Sequence, residues 1–168
     1  MFSLFKSSEK VPEIVSEKNC VYAPVSGKVI QLNAVSDGMF AKELLGKGIA
    51  IEPNSDVIYA PISGKITAAP KSCHAVAMTS PDGVEVLIHI GFNTVELKGQ
   101  YFKTSISKGD EVKAGQKLIE FNRAKIRKAG YDITIPVVIT NSDDYTDVST
   151  VTDKDVTVLE KVIQVKQQ

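Results

Sequence analysis

Short apolar runs alternate with turn residues along most of the chain from Cys20 onward. Val29–Leu32, Gly48–Ile51, Val57–Tyr59, Gly64–Thr67, Ala75–Met78, Val84–Ile90 and Lys117–Phe121 are rich in Val, Ile, Thr and Tyr, and each is too short for a stable helix. Side chains of this kind fit a pleated, half-buried surface, so these runs predict strands. Pro81-Asp82-Gly83 predicts a tight turn, because Pro fixes φ and Gly tolerates positive φ. Ser36-Asp37-Gly38, Lys108-Gly109-Asp110 and Ala114-Gly115 mark further turns. Helical pattern is confined to two short stretches, around Ala41–Leu45 and Asn122–Ala129, the second with Asn122 as cap and Gly130 as stop. Strands recurring about every ten residues with so little helix predict an all-β fold, an antiparallel, barrel-like β-sandwich.

One stretch occurs twice. Val21-Tyr-Ala-Pro-Val-Ser-Gly-Lys-Val29 returns as Ile58-Tyr-Ala-Pro-Ile-Ser-Gly-Lys-Ile66, with six of nine positions identical and the other three exchanged between Val and Ile. Each copy reads strand, Pro-bounded corner, Gly turn, strand. A strand-turn-strand unit used twice predicts a pseudo-symmetric sandwich. The surface shared by the two copies is expected to be a natural place for a site.

Composition narrows the class. A chain of 168 residues suffices for one domain that buries roughly 70% of its unfolded surface. Twenty basic and twenty acidic residues cancel, which argues against nucleic acid as a partner. No run approaches the roughly 20 apolar residues of a membrane span. Phe2, Leu4 and Phe5 do not build the apolar core of a signal peptide. A soluble, cytoplasmic monomer is expected. Residues 1–19 are largely polar and are expected to form a flexible arm ahead of a single domain over 20–168. An amphipathic turn of Phe2, Leu4 and Phe5 on a membrane or partner is the other reading of that arm. Cys20 and Cys73 are expected to stay reduced, Cys20 packed or exposed in the tail and Cys73 a small neighbour of His74.

His74 and His89 are the only histidines. Alternation along Val84–Ile90 puts Val84, Val86, Ile88 and Ile90 on one face and Glu85, Leu87, His89 and Gly91 on the other. The first face belongs to the core, so His89 points away from it. A hairpin centred on residues 81 and 82 sets position 74 opposite 89 and brings the imidazoles together. Two unrelated histidines are the alternative. Paired neutral imidazoles suit metal binding, acid–base catalysis or a phosphohistidine. No P-loop, HExxH, GxSxG or dinucleotide fingerprint occurs. A phosphoryl group would therefore come from another protein or a small molecule.

From about residue 20 onward the chain resembles the glucose-type enzyme IIA domain of the bacterial phosphoenolpyruvate-dependent sugar phosphotransferase system. The pieces that carry the resemblance are Ala23-Pro-Val-Ser-Gly27, Phe40-Ala-Lys-Glu43, Gly46–Ile51 with Pro53, Ala60-Pro-Ile-Ser-Gly64, His74-Ala75, Gly83–Gly91, Thr94–Gly99, Gly109–Gly115 and Pro136–Asn141. The resemblance implies a β-sandwich with a duplicated unit. It implies a phosphocarrier with His89 as phosphoacceptor through Nε2, His74 assisting transfer, and Ser72 hydrogen-bonding near the pair. It implies HPr as donor, an enzyme IIB domain of a sugar permease as acceptor, and no cofactor. Phe40 matches an apolar rim that meets partners, with Met39, Leu45 and Val95 as companions. No metal is required, although His74 and His89 could share a Zn²⁺ with a ligand from a partner. Asn93 stands where many members have Asp, and Pro70 replaces an aromatic rim residue of some members.

Other readings differ at particular residues. A lipoyl or biotinyl carrier shares the Ala-Pro-x-x-Gly phrase but needs a modifiable lysine in a Met-Lys-Met or Asp-Lys-Ala context, and none is present. A zinc endopeptidase of the β-hybrid type commonly carries a His-x-His pair, also absent. A regulatory module whose partner binding is switched by histidine phosphorylation shares every residue of the carrier reading.

Overall fold

The computed structural model describes residue 11 and residues 14–167. The described residues form β1 (Cys20–Tyr22), β2 (Gly27–Gln31), α1 (Gly38–Ala41), β3 (Lys47–Pro53), β4 (Val57–Tyr59), β5 (Gly64–Ala68), β6 (Ala75–Thr79) and β7 (Glu85–His89). There follow β8 (Phe102–Thr104), β9 (Glu111–Val112), β10 (Lys117–Phe121), α2 (Arg123–Lys128), β11 (Ile135–Ile139), β12 (Tyr145–Thr150), β13 (Lys154–Val156) and β14 (Lys161–Gln167). A large sheet runs in the order β13-β2-β3-β11-β7-β6-β5-β9. Two small sheets, β1-β14-β12 and β4-β10-β8, complete the molecule. Every pairing is antiparallel. The antiparallel all-β expectation therefore holds.

The repeated segments are equivalent units. The first copy spans β1 and β2, the second β4 and β5, with matching strand lengths and spacing. Their backbones bond reciprocally: Tyr22 N–H donates to the Pro61 carbonyl at 2.9 Å, and Tyr59 N–H to the Pro24 carbonyl at 2.8 Å. Each copy also carries a glycine at the same place, and for the same reason. A Cβ on Gly27 would sit 2.2 Å from the Glu52 carbonyl oxygen, and one on Gly64 would sit 2.2 Å from that of Thr79. The expectation that the shared surface carries the site is not met. Val21, Ala23, Val25, Ile58, Ala60 and Ile62 lie there in the main core, all but sealed from solvent.

The core joins Ile49, Ile51, Val86, Ile88, Ile90, Ile135, Val137 and Ile139 from the centre of the large sheet to the repeat residues. Burying a side chain of this size contributes roughly 1.5–3 kcal/mol, so the sheet's inner face is the principal source of stability. On the outer face a smaller cluster gathers Leu32, Phe40, Ala50, Phe92 and Val138, with Leu45 and Leu87 partly buried against it. That second cluster supports the histidines.

One local expectation is corrected. The first helix runs over 38–41 rather than 41–45, because the Asp37 carboxylate accepts the Met39 and Phe40 N–H groups and starts it earlier. Of the two placements expected for Cys20 the packed one holds: its free thiol lies in β1, 3% exposed. The segment ahead of it falls largely outside the described residues, including Phe2, Leu4 and Phe5. Val11 and Ile14 pack on Cys20, Tyr22 and Tyr59, Glu17 N–H donates to the Tyr22 hydroxyl, and the Glu17 carboxylate meets Lys161. No helix among the described residues is long and apolar enough to cross a membrane.

Candidate functional site

β6 and β7 form a hairpin that delivers both histidines to one end. Burial alternates along β7 as the pattern predicts: Val86 and Ile88 face the core, while Leu87 and His89 are half-buried on the outer face. The register differs by one residue from a turn centred on 81 and 82. Ala75, not His74, pairs with His89, because the Ser80–Val84 loop closes wider, with Ser80 N–H donating to the Val84 carbonyl. His74 lies one residue before β6, and its carbonyl accepts Ile90 N–H at 2.7 Å. Cys73 before it has φ +59, in the left-handed region. That bend takes His74 off the strand's alternation, and the two rings meet with centroids 5.0 Å apart and planes at 77°.

The rings have different hydrogen-bond partners. His89 Nδ1 lies 2.6 Å from the Gly91 carbonyl oxygen. A carbonyl only accepts, so the His89 proton is on Nδ1 and the Nε2 lone pair is free. His74 Nδ1 lies 2.6 Å from Ser72 Oγ. A hydroxyl can donate, which allows His74 the opposite tautomer, with its proton on Nε2. One ring is therefore prepared as a nucleophile or base and the other as a donor.

Both imidazoles are held neutral. Burial, and secondarily the neighbouring His89, push His74 down from 6.5 to about 4. Burial also lowers His89, against the smaller raising effects of the Gly91 bond and the Asp37 charge. Phe40 is 4% exposed and supports the site from beneath, its ring 5.5 Å from His89 and 5.9 Å from Phe92. Met39 and Val95, each half exposed, and Leu44, 63% exposed, lie on elements bordering this end. Leu45 turns inward onto the outer cluster. Leu44 was missed by sequence reasoning, since the helix expected over 41–45 gave no means of telling which of the two leucines faces out. Ser72 is brought to His74, while Asn93, in the left-handed region at φ 62, and Pro70 are exposed. Among the described residues no group of three or more His, Cys, Asp or Glu could hold a metal ion.

The described residues thus form an antiparallel sandwich built on a duplicated unit, with two imidazole rings in contact at one end. Residues 19–145 match the family described as phosphoenolpyruvate-dependent sugar phosphotransferase system, EIIA 1. The chain belongs to that family, the EIIA components of the sugar phosphotransferase system. It is 42% identical over 128 residues to the β-glucoside-specific EIIBCA component of Bacillus subtilis, covering 76% of this chain but 21% of that protein. It is 33% identical over 161 residues to the glucose-specific EIIA component of Oceanobacillus iheyensis, covering 96% of this chain and 95% of that one. The chain thus spans about a fifth of the β-glucoside relative and nearly all of the glucose relative. Among solved structures, glucose permease IIA from Mycoplasma capricolum matches with a TM-score of 0.81 and 35% identity, over 86% of this chain and 93% of that chain.

Proposed function

We propose that His89 is the phosphoacceptor, that His74 assists the transfer, and that Ser72 orients His74. The donor is phosphorylated HPr, and the acceptor is the nucleophile of an enzyme IIB domain in a sugar permease. The observation that carries this reading is the Nδ1–Gly91 carbonyl contact, which leaves Nε2 of a neutral ring free for in-line attack. As the P–N bond to Nε2 forms, the P–N bond to the donor's imidazole breaks and its electron pair stays with the donor. The sequence reverses at the acceptor. In the loose transition state charge spreads over the phosphoryl oxygens, and His74 Nε2–H is suited to donate to them. Met39, Leu44 and Val95 are proposed to meet the partner and exclude water, with Phe40 buttressing His89 and Leu45 the cluster below. Residues 20–168 act as a single monomeric carrier domain in the cytoplasm, with Val11, Ile14 and Glu17 packed against it.

The 42% identity to a β-glucoside EIIBCA component favours a β-glucoside permease as recipient. Glucose-specific relatives of the chain's own length support a glucose permease as the second reading. Incubation with phospho-HPr, followed by either purified IIB domain, tests both. The expected label is acid-labile, absent from His89→Ala, and present but passed on about 10²–10³-fold more slowly in His74→Gln, the range for loss of a transition-state donor. Label on His74, or normal labelling of His89→Ala, would refute the assignment.

A further inference from the structure

We propose that Thr94 is a positioning residue for phosphoryl transfer: its buried hydroxyl fixes the backbone that selects the tautomer of His89. The inference rests on His89 being the phosphoacceptor. The Gly91 carbonyl that accepts from His89 belongs to a glycine at φ +77, in a conformation with little intrinsic rigidity. Something must hold it.

Two successive peptide planes are clamped at all four polar groups. The plane carrying the Gly91 carbonyl has its N–H, that of Phe92, on the Asp132 carbonyl at 3.0 Å. The preceding plane has its N–H, that of Gly91, on the Thr134 carbonyl at 3.1 Å. Its carbonyl, that of Ile90, accepts the Thr94 hydroxyl at 2.6 Å. Apart from His89 itself, Thr94 contributes the one side chain in this clamp.

Thr94 is fully buried, and a buried hydroxyl destabilises unless bonded. Valine would fill the same space without that demand, so the hydroxyl has a task that shape alone does not explain. Its methyl packs at the same point: Thr94 Cγ2 lies 2.8 Å from where a Cβ on Gly91 would be. The methyl blocks one side of the glycine and the hydroxyl pins the plane before it. With the hydroxyl gone, the Ile90–Gly91 plane is free to tilt and the Gly91 carbonyl moves with it. The proton of His89 then redistributes to Nε2, occupying the lone pair that attacks phosphorus.

The test uses the full chain with ¹⁵N-labelled histidine, comparing wild type, Thr94→Val, Thr94→Ala and Thr94→Ser. Ring ¹⁵N shifts report the tautomer without any partner. Phosphorylation by phospho-HPr, and separately by the small-molecule donor phosphoramidate, reports the rate. Wild type is expected to show His89 as the Nδ1–H form. Thr94→Val should admit the Nε2–H form and lower kcat roughly tenfold, the scale of one lost buried hydrogen bond, with KM for HPr unchanged. Thr94→Ala gives the same reading should the valine protein not fold. Thr94→Ser should restore the tautomer and most of the rate. A wild-type ¹⁵N signature in Thr94→Val or Thr94→Ala, or a serine variant as slow as these, overturns the proposal. Failure of wild type to accept phosphate from either donor refutes the functional reading instead, while the tautomer shift still decides the role of Thr94.

Discussion

Substituting Gly91 by alanine should damage the protein in two separable ways. At φ +77 an L side chain costs about 1–2 kcal/mol by backbone conformation alone. The new Cβ would also lie 2.6 Å from the Asp132 carbonyl oxygen and 2.8 Å from Thr94 Cγ2. The oxygen is backbone and cannot rotate away, so overpacking adds about 1–3 kcal/mol. Gly83, in the loop at the other end of the same hairpin, supplies the control. Its φ is +92, and a Cβ there meets nothing within 4 Å, so Gly83→Ala should lose only the conformational part. Urea unfolding of the two variants should therefore give losses of about 1–2 kcal/mol for Gly83→Ala and about 2–5 kcal/mol for Gly91→Ala. The phosphorylation rate should separate them further. Gly91→Ala displaces the carbonyl that holds His89 Nδ1 and should be slow, while Gly83→Ala should react as wild type does. Equal destabilisation of the two, or a folded Gly91→Ala protein phosphorylated at the normal rate, would refute the reasoning.

Because the folded protein holds His74 near 4 against an ordinary 6.5, the unfolded chain takes up the proton first as pH falls. Stability should be full above 6.5 and decline between 6.5 and 4; His74→Gln should flatten that decline in urea titrations across the range, with the lowered His89 leaving a residual slope in the same direction. Asn122→Ala removes the cap of α2, whose side-chain oxygen accepts Lys125 N–H at 3.0 Å; calorimetry should find about 1 kcal/mol lost, with phosphorylation unchanged.

The face on which His89 lies was readable because strand alternation has a period of two and Val84–Ile90 has one strongly apolar face. The repeat was readable as two strand-turn-strand units, down to their paired glycines. The way the histidines meet was not. It depends on a left-handed Cys73, which no residue type announces, and on a hairpin loop one residue off the symmetric choice. The later strands were also hidden. β11 is buried along its whole length yet contains Pro136, which weakens any strand pattern. β12 and β13 are largely exposed and rich in Thr, Ser, Asp and Lys. Their pairing comes from β14 and β2, contacts distant in sequence. Thr94 was visible only within a family phrase, since nothing in its spacing distinguishes a clamp from a turn hydroxyl.

The pairing of β1 with β14 also bears on how the molecule is made. β14 lies between β1 and β12, so during synthesis the earliest strand waits for the latest one before its edge is covered. Hydrogen bonds from Ala23 N–H to the Glu160 carbonyl, and from Leu159 N–H to the Ala23 carbonyl, extend the same delay into the first repeat. Contacts so far apart along the chain slow folding, and Val21 and its neighbours stay unpaired on that side until β14 is made. The closed sheet also sets the residues just before 20 beside those after 160. A domain whose two ends meet in this way can be carried within a longer polypeptide while its histidine end stays unobstructed.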